Sequence, residues 1–582
     1  MFKSVIRFAN PAQQMALPRL RLPTQDIGQR PKPYFRNKQL ERWAAELPIG
    51  NTTVAAHQML EMLKNLNRSR YSGKERIQLH NSLRPVFHEL VYAIRQPLRQ
   101  ASIPLDRQLL YRVALLQNLL EQMATGYKLV VSEFAMTPNI KEYDAFLLTE
   151  AVYLAMSYLN QRLVDAYSMY APEPKQIWSD LNQLYQFAEA RQIHTQQVDE
   201  PYPDTALPVY LNIDFVYKRI LLLALSEPYH LMQYEADDMY RLVASSVHAC
   251  VIEPFAEIVT QGEYAIDLDK DMGPRFIPGN SDWQAADPRT IDMSKVKNQL
   301  DVHLQRLLRS NANIADFEHV SLIERQTRDM LLRLADAWNA SLVRKTQRFS
   351  LDGKVELTSG ISAAHHFISN QQNFTPEMDE LKLVSNVDEQ SLDEANSVFV
   401  TAYREALQKD RRHVVDKYAL NPWWQRNVSP IGIALNCAQS NNVIDARVGE
   451  LVAYRIAGKT KLRWQIGVTR WLQHQFNDDA EGVVDIGIMN LANGAIPVGT
   501  KAIQGLGSGT DYFRALMIPK NVSVQQTRSL IVPAMLYDIR SVLAVNLKDK
   551  LFYVRLKRVL ISTRSFTQFE FDTVRRPLDY LF

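Results

Sequence analysis

Cysteine is nearly absent from this chain of 582 residues, which contains only Cys250 and Cys437. This count excludes a disulfide framework and a thiolate metal cluster, and it fits a reducing compartment. Long hydrophobic runs are also missing, because the longest ones, such as residues 220–225, fall far below the roughly 18–20 residues that cross a bilayer. Prolines interrupt residues 1–31 before the apolar segment of a secretory signal could form. We therefore expect a soluble, cytoplasmic protein without a membrane span.

Glycine and proline are sparse, with 20 and 27 residues, and this excludes a fibrous or wholly disordered chain. Hydrophobic residues form 46% and charged residues 22% of the sequence, as in an ordinary globular protein. The formal net charge of +4 is too small to mark the whole chain as a nucleic-acid binder. Any basic site must therefore be local. The length predicts about three to five domains.

The first half of the chain has a helical pattern. Apolar residues return at intervals of three and four, as at Met59, Leu63 and Leu66, and turn-forming residues separate the helices. The all-α part is expected to be a helical bundle or an irregular helical array. The predicted segments are an extended arm at 1–35, an all-α domain at 36–263, a polar linker at 264–293 and a helix at 294–343.

The second half of the chain is rich in strand patterns. Residues 354–358 alternate polar and apolar side chains after an Asp-Gly turn, and many short β-rich segments follow Asn427. A helical pattern at 374–416 interrupts them. The predicted fold class is therefore α+β multidomain, with an N-terminal all-α domain and a C-terminal β-barrel or sandwich, followed by a second small β module.

Several fragments imitate catalytic or metal motifs without the residues that the chemistry needs. Residues 458–460 end like a phosphate loop, but its first glycine is missing and a strand follows. The run Asp267-x-Asp269-x-Asp271 resembles the start of a calcium loop, but Pro278 stands where the loop needs a glutamate. No HExxH spacing occurs, and no nucleophile and base stand at a recognisable spacing. We predict no enzyme, no catalytic residues, no metal and no cofactor.

Two short motifs remain after this exclusion. Arg344 and Arg348 form an RxxxR pair directly before the first β segment. Asn427, Ser429 and Gly432 form an (Asp/Asn)-x-Ser-x-x-Gly turn that leads into an apolar strand. In this order, and with the β pattern that follows, the motifs resemble the PilZ family, bacterial β-barrel domains that bind cyclic di-GMP.

The resemblance implies a fold and a ligand site. The fold is a PilZ-like antiparallel barrel at 344–500, and the second small β module at 501–582 lies outside the resemblance. Because 79 positions separate Arg348 from Asn427, more than is usual in the family, a helical insertion at about 370–416 must interrupt the barrel. The resemblance also implies that the five motif residues bind cyclic di-GMP.

These residue types suit a ligand with two phosphates and two guanines. Arginine forks match the O6/N7 edge of guanine and also pair with phosphate oxygens. Asn427 and Ser429 are short polar side chains that can bond to a base edge or a phosphate, and Gly432 lets the backbone come close to a neighbour. Trp423 and Trp424 either stack on a guanine or close the core, and the pattern favours the core.

The charge distribution supports an anion site in the β half. Residues 416–582 contain 21 Lys and Arg against 13 Asp and Glu, a net charge of +8. A nucleic-acid-binding β module would also fit this charge, but the strands lack the aromatic-rich pattern of an RNA-binding sheet. Nucleic acid is therefore not an expected partner.

The sequence favours a receptor without catalysis. In this hypothesis cyclic di-GMP binds to the barrel, and its binding is transmitted to an unidentified protein partner. The segment that carries Arg344 joins helix to barrel and is the expected two-state element, because a ligand shifts such an equilibrium only by binding one state better. The alternative is a degenerate PilZ-like scaffold or adaptor that binds protein partners without nucleotide.

Overall fold

The structure is a computed structural model in which helices and strands form two compact units. One unit holds the helices of the first half and a small sheet, and the other holds the strands of the second half. The described residues are 17–26, 36–99, 101, 103, 105–137, 142–200, 210–255, 262–279, 282–312, 322–339, 349–350, 352–372, 374–375, 418–438, 446–458, 464–476, 482–505, 507–509, 511–520, 527–547 and 550–574.

Residues 17–26 are an extended arm along the helical domain. The backbone N–H of Arg19 donates to Oε1 of Gln183 at 3.2 Å, and Leu20 packs against the hydrophobic core. Such contacts satisfy backbone groups that have no helix or sheet partner. This part of the predicted arm is therefore attached to the domain.

The all-α domain is confirmed. Its helices begin at sequence signals: Ser72 and Glu75 form a capping box at one start, and the Asp106 side chain accepts from the N–H of Leu109 at 2.8 Å at the next. Within the described residues the helices are α1 (Asn37–Ala45), α2 (Thr52–Arg68), α3 (Gly73–Leu98), α4 (Arg107–Ala135), α5 (Glu142–Ser168), α6 (Ile177–Ala190), α7 (Ile213–Ala224) and α8 (Glu235–Val243), with 3-10 turns at Pro228–His230 and Ala244–Ala249.

The core of this domain combines aliphatic side chains with aromatic rings and buried ion pairs. The rings of Tyr185 and Tyr217 stack with centroids 4.1 Å apart. Nζ of Lys128 lies 2.6 Å from Oδ2 of Asp180, and both side chains are buried. A buried charge is tolerated only when it is paired, so each of these two residues requires the other.

The predicted linker at 264–293 is wrong, because this stretch contains strands. An antiparallel sheet in the order β1-β4-β2-β3 consists of β1 (Val251–Pro254), β2 (Glu263–Asp267), β3 (Arg275–Ile277) and β4 (Pro288–Asp292). Tyr264, Ile266 and Ile291 are buried in the domain core, while the Asp, Gly and Pro residues lie mainly in the turns. The Asp267 carboxylate accepts from the N–H groups of Asp269, Ala286 and Asp287, as a turn-closing group does.

Within the described residues of 294–343, where one helix is predicted, two helices follow the sheet. They are α9 (Ser294–Ala312) and α10 (Leu322–Asn339). Leu331, Leu334 and Trp338 of α10 are buried against the first unit, and the carbonyl of Trp338 accepts from the Tyr264 hydroxyl at 2.9 Å.

The first barrel contains β5 (Phe349–Ser350), β6 (Lys354–Ser359), α11 (Ile361–Ile368), β7 (Asn421–Ser429), β8 (Gly432–Ala438), β9 (Leu451–Ile456), β10 (Gln465–Phe476) and β11 (Gly482–Ala492). Its strands pair in the order β5-β7-β6-β9-β10-β11-β8. An additional pairing of β7 with β8 closes six strands into a ring. The predicted antiparallel barrel is confirmed. The predicted insertion at 370–416 lies almost wholly outside the described residues.

The second β module is a complete barrel. It closes in the order β12-β13-β14-β17-β16-β15. Its first strand begins at Ile496 rather than at the predicted 501, because that strand pairs with β13 and β15 and not with the first barrel. The strands are β12 (Ile496–Gln504), β13 (Phe513–Ile518), β14 (Ser529–Pro533), β15 (Val542–Leu547), β16 (Lys550–Ser562) and β17 (Phe566–Val574).

The two barrels share a hydrophobic cluster in addition to their own interiors. Leu451 and Val468 of the first barrel pack with Leu516, Ile531 and Phe566 of the second. The Ser565 hydroxyl donates to the carbonyl of Gly449 at 3.0 Å beside this cluster. The barrels are therefore packed against each other within one unit. Among the described helices of the chain, none is long and apolar enough to cross a membrane.

Candidate functional site

The Asn427–Gly432 motif forms a β-hairpin. Asn427 lies in strand β7 rather than in a turn, and Ser429 at the end of β7 pairs with Gly432 at the start of β8. Only Pro430 and Ile431 separate the two strands, and both are exposed. The Ser429 hydroxyl donates to the carbonyl of Gly432 at 3.2 Å, which closes the hairpin locally. The three predicted residues are thus together at one end of the barrel, all half-buried.

Gly432 is required by a close backbone approach. A Cβ at this position would lie 2.2 Å from the carbonyl oxygen of Ile488 on β11, and real side chains essentially never come so near. The N–H of Asn490 donates to the carbonyl of Ile431 at 2.9 Å and holds the hairpin on β11. The glycine therefore lets β8 and β11 meet, as the sequence led us to expect.

Strand β5, which follows the RxxxR segment in the sequence, pairs with the first strand of this hairpin. Phe349 pairs with Val428 and Ser350 pairs with Asn427 in an antiparallel register. Arg344 and Arg348 lie outside the described residues. Arg348 directly precedes Phe349 in the sequence.

A β-bulge beside the hairpin carries an arginine that no sequence motif indicates. The register of β7 against β8 shifts between Gln425 and Asn427, so that Arg426 is the extra residue. Its Nη1 atom lies 2.7 Å from Oδ2 of Asp485 on β11. The arginine side chain is 49% exposed and that of the aspartate only 2%, so the guanidinium covers a buried carboxylate.

Burial determines the protonation chemistry of Asp485. It raises the pKa of this carboxyl above the ordinary value, and the charge and hydrogen bond of Arg426 offset only part of that effect. Oδ1 of Asp485 is buried and accepts from no described residue. No local spacing could have revealed this pair, because 59 positions separate the two residues.

The two adjacent tryptophans have different surroundings. Trp423 is fully buried inside the barrel, whereas Trp424 is 56% exposed on the outer side of β7. Alternation of side chains along a strand explains this difference. The expected core role therefore holds for Trp423 and not for Trp424. Among the described residues, no group of three or more His, Cys, Asp or Glu side chains could hold a metal ion.

Three family models match the chain in consecutive order. Residues 38–257 match the N-terminal domain of the cyclic-di-GMP receptor FimW, residues 264–421 match the middle PilZ domain of that receptor, and residues 498–574 match the FimW C-terminal beta-barrel domain. The chain is a PilZ-domain protein. Its middle-domain match begins with β2 and ends at Asn421, where β7 begins.

A curated relative is similar to this chain over nearly the full length. The chain is 26% identical to the cyclic-di-GMP receptor FimW of Pseudomonas aeruginosa strain PAO1, over 93% of this chain and 92% of the relative. No solved structure matches the chain. The PilZ match covers β5, β6 and α11, and the hairpin of the candidate site follows directly after the matched range.

Proposed function

We propose that this PilZ-domain protein is a non-catalytic receptor for cyclic di-GMP. The ligand binds at Asn427, Ser429 and Gly432 of the hairpin, together with Arg344 and Arg348 of the segment before β5. The observation that carries the proposal is the pairing of Phe349 with Val428. Phe349 directly follows Arg348 in the sequence, and Val428 belongs to the strand that contains Asn427 and Ser429. The similarity to a relative named as a cyclic-di-GMP receptor supports the choice of ligand.

The chemistry of the proposed site follows from the hairpin. Guanidinium groups pair with phosphate oxygens and with the O6/N7 edge of guanine. The Asn427 amide offers both a donor and an acceptor to a base edge. The exposed ring of Trp424 lies three residues before Asn427 on the same strand, and its outer face offers a stacking surface for a base.

We further propose that ligand binding is transmitted to a protein partner. The segment with Arg344 and Arg348 connects the end of α10 at Asn339 to the start of β5 at Phe349. A ligand held by these arginines favours one arrangement of that connection only if it binds that arrangement more tightly. Nucleotide binding thereby changes the conformation of the segment that connects α10 to the barrel.

Calorimetric titration of the full chain with cyclic di-GMP tests the proposal. We expect saturable binding with a Kd at or below about 1 μM, which corresponds to roughly −8 kcal/mol. Arg348→Ala should weaken binding about ten- to a hundredfold, because a charge-assisted hydrogen bond contributes ~1.5–3 kcal/mol. The exposed Arg528→Ala in the second barrel is the matched control and should bind like the unaltered protein.

Three results would contradict this function. A flat titration with folded protein would favour the scaffold that binds protein partners without nucleotide. Equal loss of affinity across many Lys and Arg substitutions, with a steep salt dependence, would indicate a nucleic-acid surface instead. Unchanged binding in Arg348→Ala would remove the RxxxR segment from the site.

A further inference from the structure

The helical domain contains a cleft of about 380 Å³ between α3, α5, α7 and α8. Its volume lies within the range of small-molecule sites, roughly 300–1,000 Å³. All of its lining residues belong to the first compact unit, so it is distinct from the hairpin of the barrel. Five arginines and four tyrosines line it, against two carboxylates.

The inner end of the cleft is a fixed polar surface. Arg84 and Glu200 form an ion pair with both side chains buried, and Nε2 of His88 lies 3.0 Å from the Tyr158 hydroxyl. Burial, with Arg84 and Arg95 nearby, lowers the pKa of His88 to about 4. His88 is therefore neutral at pH 7, and arginines supply the positive charge of the cleft.

The mouth of the cleft presents arginine N–H groups. Arg95 uses Nε and Nη2 in a bidentate bond to Asp165, and its Nη1 donates to no described residue. Arg99 has one ion pair, from Nη2 to Asp237 at 3.2 Å, and Arg241 has a 3.6 Å ion pair with Asp238. Arg99 and Arg241 are more than two-fifths exposed, so their donors can reach a ligand.

Aromatic rings accompany these cations. Tyr92 is 62% exposed, and it precedes Arg95 on the same face of α3 by three residues and Arg99, the residue that caps the end of α3, by seven. On the opposite wall the Arg219 guanidinium lies 3.7 Å from the ring centroid of Tyr240. A stacking ring beside several guanidinium groups is the combination with which proteins hold a base and its phosphate.

We propose that this cleft binds a purine mononucleotide, with the phosphate on Arg95, Arg99 and Arg241 and the base on Tyr92. Nucleotide binding here is independent of cyclic di-GMP binding at the barrel. Arg99 donates a hydrogen bond to Asp237. The phosphate of the ligand and the Asp237 carboxylate therefore compete for the Arg99 guanidinium.

Calorimetry on the full chain with GMP, AMP, guanosine and inorganic phosphate tests the proposal. We expect one equivalent of GMP or AMP to bind with a sub-millimolar Kd. Guanosine and inorganic phosphate should each bind at least about tenfold more weakly, because each lacks half of the recognised groups. Excess cyclic di-GMP should not displace GMP, which separates this result from failure of the barrel site.

Substitutions with opposite expected effects on GMP affinity make the test specific. Arg99→Gln combined with Arg241→Gln should weaken GMP binding at least about tenfold, whereas Asp237→Asn should strengthen it several-fold by freeing Arg99. Arg42→Gln, an exposed change on α1, is the matched control. Circular dichroism checks that each variant is folded.

Several outcomes would overturn the proposal. They are the absence of binding by GMP and AMP, binding that survives the double substitution, weaker binding in folded Asp237→Asn, and inorganic phosphate that binds as tightly as GMP. The last result would indicate a site for phosphate alone.

Discussion

The Nη1 atom of Arg426 lies 2.7 Å from Oδ2 of Asp485, and this ion pair joins β7 to β11 beside the candidate site. The carboxylate is buried and the guanidinium half-exposed. A buried carboxylate that loses its partner remains costly, whereas an exposed arginine that loses its partner is solvated. The two members of the pair should therefore respond differently to substitution.

Arg426→Ala should lower the free energy of unfolding by ~1–3 kcal/mol at pH 7, because it leaves Asp485 buried without its partner. Adding Asp485→Asn should recover most of that loss. Urea denaturation of the single and double variants measures both values. Lys557→Ala, which breaks the exposed pair with Asp572, is the control and should cost no more than about 1 kcal/mol. Additive losses in the double variant would contradict the coupling.

Gly432→Ala should destabilise the first barrel, because its Cβ would lie 2.2 Å from the Ile488 carbonyl oxygen. We expect a loss of ~1–3 kcal/mol, as for other overpacked sites. Gly353→Ala is the matched change in the same barrel, where the new Cβ meets only the end of the Gln425 side chain at 3.3 Å. Thermal denaturation should show a clear decrease in the Tm for Gly432→Ala and little for Gly353→Ala. Equal Tm values would refute the close approach.

Ser429→Ala should weaken cyclic di-GMP binding less than Arg348→Ala does. A neutral hydrogen bond contributes ~0.5–1.5 kcal/mol, so the expected loss of affinity is roughly two- to tenfold. Calorimetric titration of the two variants in the same buffer gives the comparison. A greater loss in Ser429→Ala than in Arg348→Ala, with the hairpin intact, would contradict the assignment of the charge-assisted contact to Arg348.

The helical domain should lose stability in acid through His80 and His88. Burial lowers their pKa values to about 3 and about 4, with Arg76 contributing at His80, and Arg84 and Arg95 at His88. The unfolded chain binds a proton at each histidine near pH 6.5, whereas the native state does not, so stability falls as the pH decreases from 6.5 toward 4.

Each of these histidines should contribute up to about 1.4 kcal/mol per pH unit in that range. Urea denaturation between pH 7 and 4.5 measures the slope. His80→Gln should reduce it, whereas the exposed His303→Gln should leave it unchanged. A slope that His80→Gln does not alter would show that other groups cause the acid sensitivity.

The sequence predicted those strands whose side chains alternate. Strand β6 alternates polar and apolar side chains and strand β9 is largely apolar, and the sequence predicts both as strands. The local sequence does not predict strand β7, because its Pro422 and Asn427 disfavour a strand. Its extended form comes from pairing with β5, β6 and β8, which are distant or later in the chain. Local propensity cannot report such pairing.

Pairing between distant segments also explains why the sequence predicts a linker in place of the small sheet, and why it does not predict the ion pair beside the candidate site. Strands of three to five residues with Asp, Gly and Pro between them look like a linker until a helical core covers Tyr264 and Ile291. Asn427, Ser429 and Gly432 lie together in one hairpin, and their role in ligand binding remains a prediction. The ion pair of Arg426 with Asp485 depends on barrel closure and has no sequence signature. The positions of Arg344 and Arg348 remain a prediction.

The hydrophobic cluster between the barrels limits how this architecture can change during evolution. Leu451 of the first barrel and Phe566 of the second are both fully buried in it. A gene rearrangement that removed either barrel would expose an apolar face on the other, and such a face favours aggregation. The two barrels must therefore be inherited and diversified as a pair, with substitutions in the cluster on one side compensated on the other.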